Sequence, residues 1–167
     1  MNKTEKYGYW MMLANYDLET IGPLVQSERW VYVVSLCQTA IERQLKGMYV
    51  YYHDSEAPKT HNINFLFSKL AANMTFFDED EKKRFEEEKK ACEEYLIDLS
   101  FYYISDYPFS YKNITSRFVC RDAALNILER TKAQIYWLRS FQGENQVSKS
   151  PGFNRFADLK SVKQTQI

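Results

Sequence analysis

The chain is short of the residues that interrupt helices, with five Gly and four Pro in 167 residues. So sparse a supply of turn formers argues against many short strands joined by tight turns and implies few, long elements. Its only two histidines, His53 and His61, stand eight positions apart without a cysteine or carboxylate framework, so no metal centre is expected. Cys37, Cys92 and Cys120 are an odd number, far apart and without a CxxC pair. They read as reduced core thiols of a cytoplasmic protein rather than a disulfide scaffold. No apolar run of 18 residues occurs and Met1 to Tyr7 lacks an apolar signal stretch, so neither a membrane span nor a secretory leader is expected. The formal net charge is zero, which gives no overall pull toward nucleic acid or anionic lipid; RNA binding would need a local basic patch. A glycine-rich phosphate loop and a GxSxG elbow are both missing, and Glu93-Glu94 has no ExxH companion, which removes a P-loop, a serine hydrolase and a di-iron bundle. No cofactor is implied.

What is present is a globular composition, 45% hydrophobic and 26% charged, of a size for one domain. Tyr7, Trp10, Met11, Ala14, Leu18 and Ile21 recur at helical spacing and predict a first helix from about residue 4. Gly22-Pro23 is expected to bend or end it, with Leu24 and Val25 in a kinked last turn and Ser27 as N-cap of the next helix. Trp30, Val34, Cys37, Ile41, Leu45, Met48 and Tyr52 form the core stripe of a second helix over about 28–52. A short third helix is predicted over about 62–73, with Ile63, Leu66, Phe67 and Leu70 inward. Asp78 to Glu81 opens a fourth, since carboxylates in a first turn complement the positive end of the helix dipole. Its stripe is Phe85, Cys92, Leu96, Leu99 and Tyr103, and its charged outer face reads as solvated. Asp106-Tyr107-Pro108 ends that helix, and a last one is predicted from Thr115 to Phe141 with Gly143 as its stop. The expected fold is all-α: an up-and-down antiparallel bundle of four long helices plus one short helix over 1–142. A polar tail, flexible or partner-docking, fills 143–167.

Several residues could carry function. Gln38, Glu42 and Lys46 share one face of the second helix, and Glu42 precedes Lys46 in the favourable i, i+4 orientation. They read first as a structural ion pair and otherwise as a groove for a nucleotide or a partner helix. His61 reads as a capping or hydrogen-bonding residue at the start of the third helix, or else as a ligand contact or base. Tyr107 sets a turn or stacks on a base. Arg117, one turn from Arg121, is solvated or contacts phosphate. Tyr49, Tyr51 and Tyr52 read as packing residues.

The order and spacing of Glu28-Arg-Trp30, Gln38, Glu42, Lys46, His61, Ile63, Leu66 and Tyr107-Pro108 resemble the HEPN family over about residues 7–141. These are small helical bundles found in prokaryotes beside or fused to nucleotidyltransferases; some are metal-free RNases and others only bind. The resemblance implies a homodimer packed around the Tyr-Pro region, a nucleotidyltransferase-type partner and a nucleotide or RNA ligand, in a toxin–antitoxin-like setting. The RNase members carry an arginine followed four to six residues later by histidine. Such a site needs a proton acceptor near the ribose 2′-hydroxyl and a cation beside the phosphate. Here Asp106 stands where an arginine commonly precedes the Tyr-Pro pair, and neither histidine has an arginine at the required spacing. The expectation is therefore a non-catalytic binding or regulatory module, with no catalytic residue assigned. Two alternatives stay open. One is a divergent metal-independent RNase using His61 with Arg117 or Lys112. The other is a structural protein whose charged fourth helix and tail dock a larger assembly.

Overall fold

A computed structural model describes residues 2–74, 77–104 and 120–141, excepting the side chains of residues 103 and 104. Asp106, Tyr107, Pro108, Lys112, Arg117, the expected helix start at Thr115 and the tail from 143 lie outside the described residues. Among those described, five helices and no strand occur: α1 (Lys3–Gln26), α2 (Trp30–His53), α3 (Ile63–Ala71), α4 (Glu79–Ile104) and α5 (Arg121–Arg139). The expected all-α bundle of four long helices and a short one is what the chain forms.

Contacts fix the directions. Arg43 meets Asp17, Lys46 lies over Trp10 and Tyr51 packs on Tyr7, so α2 runs antiparallel to α1. Gln44 meets Arg139 and Tyr52 meets Phe141, so α5 runs beside α2 in the same direction. Tyr95 meets Thr131 and Glu88 meets Trp137, so α4 runs antiparallel to α5. The short α3 packs against α2 and α4, held to α4 by Asn64 Nδ2 donating to Ser100 Oγ at 2.7 Å. The core joins Leu18, Ile21, Val33, Cys37, Ile41, Leu45, Met48, Leu66, Phe85, Leu96 and Leu99 with Ile127, Ile135 and Leu138. At one end Phe77, Phe85, Trp137 and Phe141 pack with ring centroids 5.2–5.8 Å apart, a geometry that contributes about 0.5–1.5 kcal/mol per pair beyond area burial.

Helix ends are where expectation and structure part. α1 opens with a capping box, Asn2 accepting from Glu5 N and Glu5 accepting from Asn2 N. It continues through Pro23 to Gln26, because the amide that proline lacks removes only one bond near the helix end. Ser27 is not the N-cap of α2. It is the C-cap of α1, its Oγ donating to Pro23 O at 2.8 Å. Arg29 N donates to Leu24 O and Glu28 N to Val25 O, with Glu28 at φ 55, which is the Schellman closure with glutamate in the left-handed position. The turn needs Glu28 and Arg29 outside both helices, so α2 starts at Trp30 rather than Glu28. α3 is capped by Asn62, which accepts from Phe65 N at 3.0 Å; His61 does not cap it. Cys120 has extended backbone at φ −81, ψ 167 and is the N-cap of α5, which therefore starts at Arg121. Cys120 is also exposed, which corrects the expectation of three core thiols; Cys37 and Cys92 are the buried pair.

Candidate functional site

The face expected to matter on α2 is more deeply buried than its polarity suggests. Gln38, Glu42 and Lys46 are each 8% exposed. Lys46 Nζ donates to Glu42 Oε1 at 2.6 Å and sits 5.6 Å from the centre of the Trp10 ring, so α1 roofs the pair. The roof is low because of Gly47. A Cβ there would lie 2.5 Å from Met11 Cε and 3.0 Å from Trp10 Cβ, and only the first of these atoms is the end of a flexible side chain.

His61 enters from the strand-free segment before α3. Its Nδ1 lies 3.1 Å from both Glu42 oxygens, while its side chain stays 77% exposed. A carboxylate only accepts, so Nδ1 carries the proton and donates. Nε2 is then the ring's outward nitrogen. One carboxylate thus holds an ammonium on one side and an imidazole on the other. Gln38 lies one turn away on the same face and makes no hydrogen bond to the described residues. The structure therefore brings Glu42, Lys46 and His61 together with Gln38 adjoining; Tyr107 and Arg117 lie outside the described residues.

Two further polar clusters, not expected from the sequence, cross the seam between α1 and its neighbours. Arg43 Nη1 donates to both Asp17 oxygens at 2.8 Å and to Leu13 O at 3.2 Å. Burial of Asp17 raises its pKa by more than the adjacent guanidinium lowers it. Arg139, 6% exposed, donates from Nε to Gln44 Oε1 and from Nη2 to Asn15 Oδ1, both at 2.8 Å, with Met11 Sδ at 3.9 Å. Burial pushes its pKa down to about 10, which still leaves it a cation near neutrality. Gln44 is fully buried, and its Nε2 has no hydrogen-bond partner among the described residues. The signal that could have located this cluster is an interruption. Asn15 falls in the row Tyr7, Met11, Asn15, and Gln44 stands between Ile41 and Met48. Each is a polar residue in an apolar stripe.

The aromatic trio near the end of α2 packs as expected. Tyr51 lies on Tyr7 and Tyr52 edge-on to Phe77, while Tyr49 stacks on His53 at 4.3 Å. Burial lowers the pKa of His53 and raises that of Tyr52 far above the usual phenol range, in each case disfavouring the charged form. Among the described residues, no group of three or more His, Cys, Asp or Glu side chains could hold a metal ion, and no helix is long and apolar enough to cross a membrane.

The class these observations define is a small all-helical bundle with a buried polar seam and one solvent-facing imidazole. A family model described as "HEPN domain" matches residues 7–140, most of the chain, and the protein belongs to the HEPN domain family. That family is of the nucleotide-binding and RNase type, and its domains often dimerise. No curated protein and no solved structure gives a match.

Proposed function

We propose that this chain is a non-catalytic HEPN module that binds a nucleotide or a nucleotidyltransferase-type protein and works as a homodimer. The observation that carries this reading is the double engagement of Glu42. Cleavage of a phosphodiester needs a cation free to meet the phosphate and an imidazole free to move a proton. Here Lys46, which shares the Glu42 carboxylate with His61, is buried and covered by Trp10, and so is not free to meet a phosphate. Asp106, in the place of the arginine that commonly precedes the Tyr-Pro pair, would repel phosphate. The exposed His61 edge offers hydrogen-bonding capacity of the kind that recognises a base or a partner's backbone, with the largely buried Gln38 amide adjoining it.

A second copy is expected on the C-terminal part of α4. Lys83, Glu86, Glu87, Lys90 and Glu94 give that helix a charged outer face, which turns apolar at Ile97 and Phe101, 50% and 56% exposed. Asn64 bonded to Ser100 holds α3 beside these turns, adding Phe65 at 41% exposure. Large exposed apolar side chains gathered on adjoining turns favour an interface. The experiment is calorimetric titration of the full chain with adenine and guanine nucleotides, with short RNA incubated in parallel and molar mass measured by light scattering. Nucleotide binding that weakens on Gln38→Ala or His61→Ala, with intact RNA and a dimer mass, is the expected result. A monomer at all concentrations removes the dimer; RNA cleavage removes the non-catalytic reading.

The divergent RNase is the second reading, and one observation favours it. A carboxylate on Nδ1 fixes the tautomer that leaves Nε2 facing solvent as a proton acceptor, the arrangement of a general base. Lys112 or Arg117 would then supply the cation. This reading requires RNA cleavage without added metal that disappears in His61→Ala; its absence in the wild-type chain ends the idea.

A further inference from the structure

Among the described residues, the outer face of α1, on the far side of that helix from its buried row, carries no covering element. On α1, Tyr9, Met12 and Tyr16 recur at i, i+3 and i+7 and are 51%, 49% and 69% exposed. They form a stripe opposite the buried row of Tyr7, Met11, Ala14 and Leu18. Glu5 and Glu19 flank that stripe near its two ends. The cations of the first turns are drawn elsewhere, Lys3 lying over the Tyr51 ring and Lys6 pairing with Glu56. The outer face of α1 is thus aromatic and acid-flanked.

We propose that this stripe receives the chain's own C-terminal segment, Phe153, Phe156 and Leu159 covering Tyr9, Met12 and Tyr16 while Arg155, Lys160 and Lys163 approach Glu5 and Glu19. Three considerations lead there. The first is reach. α5 ends against α1 and α2, Arg139 bonding to Asn15 and Phe141 O accepting from Tyr52 Oη at 2.9 Å. Residues 142–152 extend roughly 36–40 Å at 3.3–3.6 Å per residue. That equals or exceeds the length of α1, about 36 Å for its 24 residues at 1.5 Å rise. The second is charge. From 142 onward the basic residues are Lys149, Arg155, Lys160 and Lys163 and the acidic ones Glu144 and Asp158, four against two, a side-chain net charge of +2. The third is the failure of the competing occupant. If two copies met through this stripe, an antiparallel pairing about Met12 would oppose Glu5 to Glu19, and a parallel pairing would oppose each glutamate to its twin. Both are repulsive. A covered stripe would make the tail the competitor of any partner that binds α1.

Limited trypsin digestion of the full chain, followed by mass spectrometry, tests this directly. Cleavage after Arg155 and Lys160 reads how often the segment is released. In the wild-type chain both bonds are expected to be cut about tenfold more slowly than in a synthetic peptide of residues 149–167, at every protein concentration. Tyr9→Ser/Tyr16→Ser, which alters exposed side chains only, restores the peptide rate. So does Phe153→Ser/Phe156→Ser, which leaves the bundle untouched. Cleavage of the wild-type chain at the peptide rate overturns the proposal, as does protection that survives the double substitution on α1. Protection that grows with protein concentration also overturns it, because the segment would then lie on a second copy or bridge two.

Discussion

Replacing Glu42 by glutamine keeps the size of the side chain and removes its charge, leaving Lys46 as a buried ammonium beneath Trp10. With both members of the pair 8% exposed, the case differs from a surface ion pair, whose loss costs about 0–1 kcal/mol. Breaking a buried pair from one side costs about 3–5 kcal/mol, since the survivor has neither water nor partner. The upper part of that range applies to Glu42→Ala, which also removes the acceptor of His61 Nδ1. Lys46→Met is expected to cost less, about 1–2 kcal/mol, because Glu42 keeps His61 as a donor and the methionine fills the space under the indole. The double variant Glu42→Gln/Lys46→Met should then be more stable than Glu42→Gln alone, a coupling of about 1.5–3 kcal/mol. Urea unfolding followed by far-UV circular dichroism measures all four corners of this cycle. In a chain of this size the Glu42→Gln loss corresponds to a fall in Tm of about 6–20 °C, at 2–4 °C per kcal/mol. A cost under about 1 kcal/mol for Glu42→Gln at unchanged m-value would refute the reasoning. It would mean that Lys46 swings out to water when released and that α1 does not seal the pair.

Other substitutions probe the rest of the core. Thr131 Oγ1 donates to Ile127 O at 2.7 Å, so the Tyr95 hydroxyl, 2.7 Å away, must donate to Thr131. Thr131→Val strands a buried phenol and should cost about 1–3 kcal/mol, more than Tyr95→Phe at about 0.5–1.5 kcal/mol; the reverse order in urea melts would contradict the assigned donor. Gly47→Ala adds helix propensity of about 1 kcal/mol but drives a methyl into Trp10 and Met11, so a net loss of about 1–2 kcal/mol is expected, and a more stable variant would disprove the close approach. Burial pushes the Cys37 thiol up to about 11 and the Cys92 thiol up to about 12, from 9.0 in the unfolded chain. Only the unfolded chain then releases these protons between pH 9 and 11–12, so their contribution is complete below pH 9 and is lost as the pH rises through that window. At pH 10 the two thiols together account for about 3 kcal/mol of lost stability, and Cys37→Ala/Cys92→Ala should flatten the fall between pH 7.5 and 10. An unchanged slope of the urea midpoint in that variant would assign the alkaline loss to other groups.

How much of this was legible in the sequence follows from which forces act locally. Helix identity rests on a 3.6-residue apolar period, and Val34, Cys37, Ile41, Leu45 and Met48 announce α2 without help from the rest of the chain. Helix ends rest on which backbone groups find partners, and there the reading of Ser27 failed. Serine serves as N-cap when its neighbours are helical on one side only; here Arg29 N and Glu28 N return to Leu24 and Val25, and nothing in Gln26-Ser-Glu-Arg29 reveals that closure. On α5 the chain buries Ala124, Ile127 and Thr131 more deeply than Leu125, and a threonine in that buried row is explained only by the Tyr95 hydroxyl that meets it from α4. The Glu42–Lys46 pair was visible from its spacing. Its burial was not, since Trp10 comes from another helix. Arg139 was hidden for the same reason, with its partners Asn15 and Gln44 lying 124 and 95 positions upstream.

That long separation bears on how the nascent polypeptide matures. As synthesis proceeds, α1 and α2 leave the ribosome early and can zip into a hairpin through contacts close in sequence, with Asn15 and Gln44 already turned toward a space that no guanidinium yet fills. Until translation delivers Arg139, those two amides lack the guanidinium that joins them in the finished bundle, so this part of the seam is completed only by the final helix.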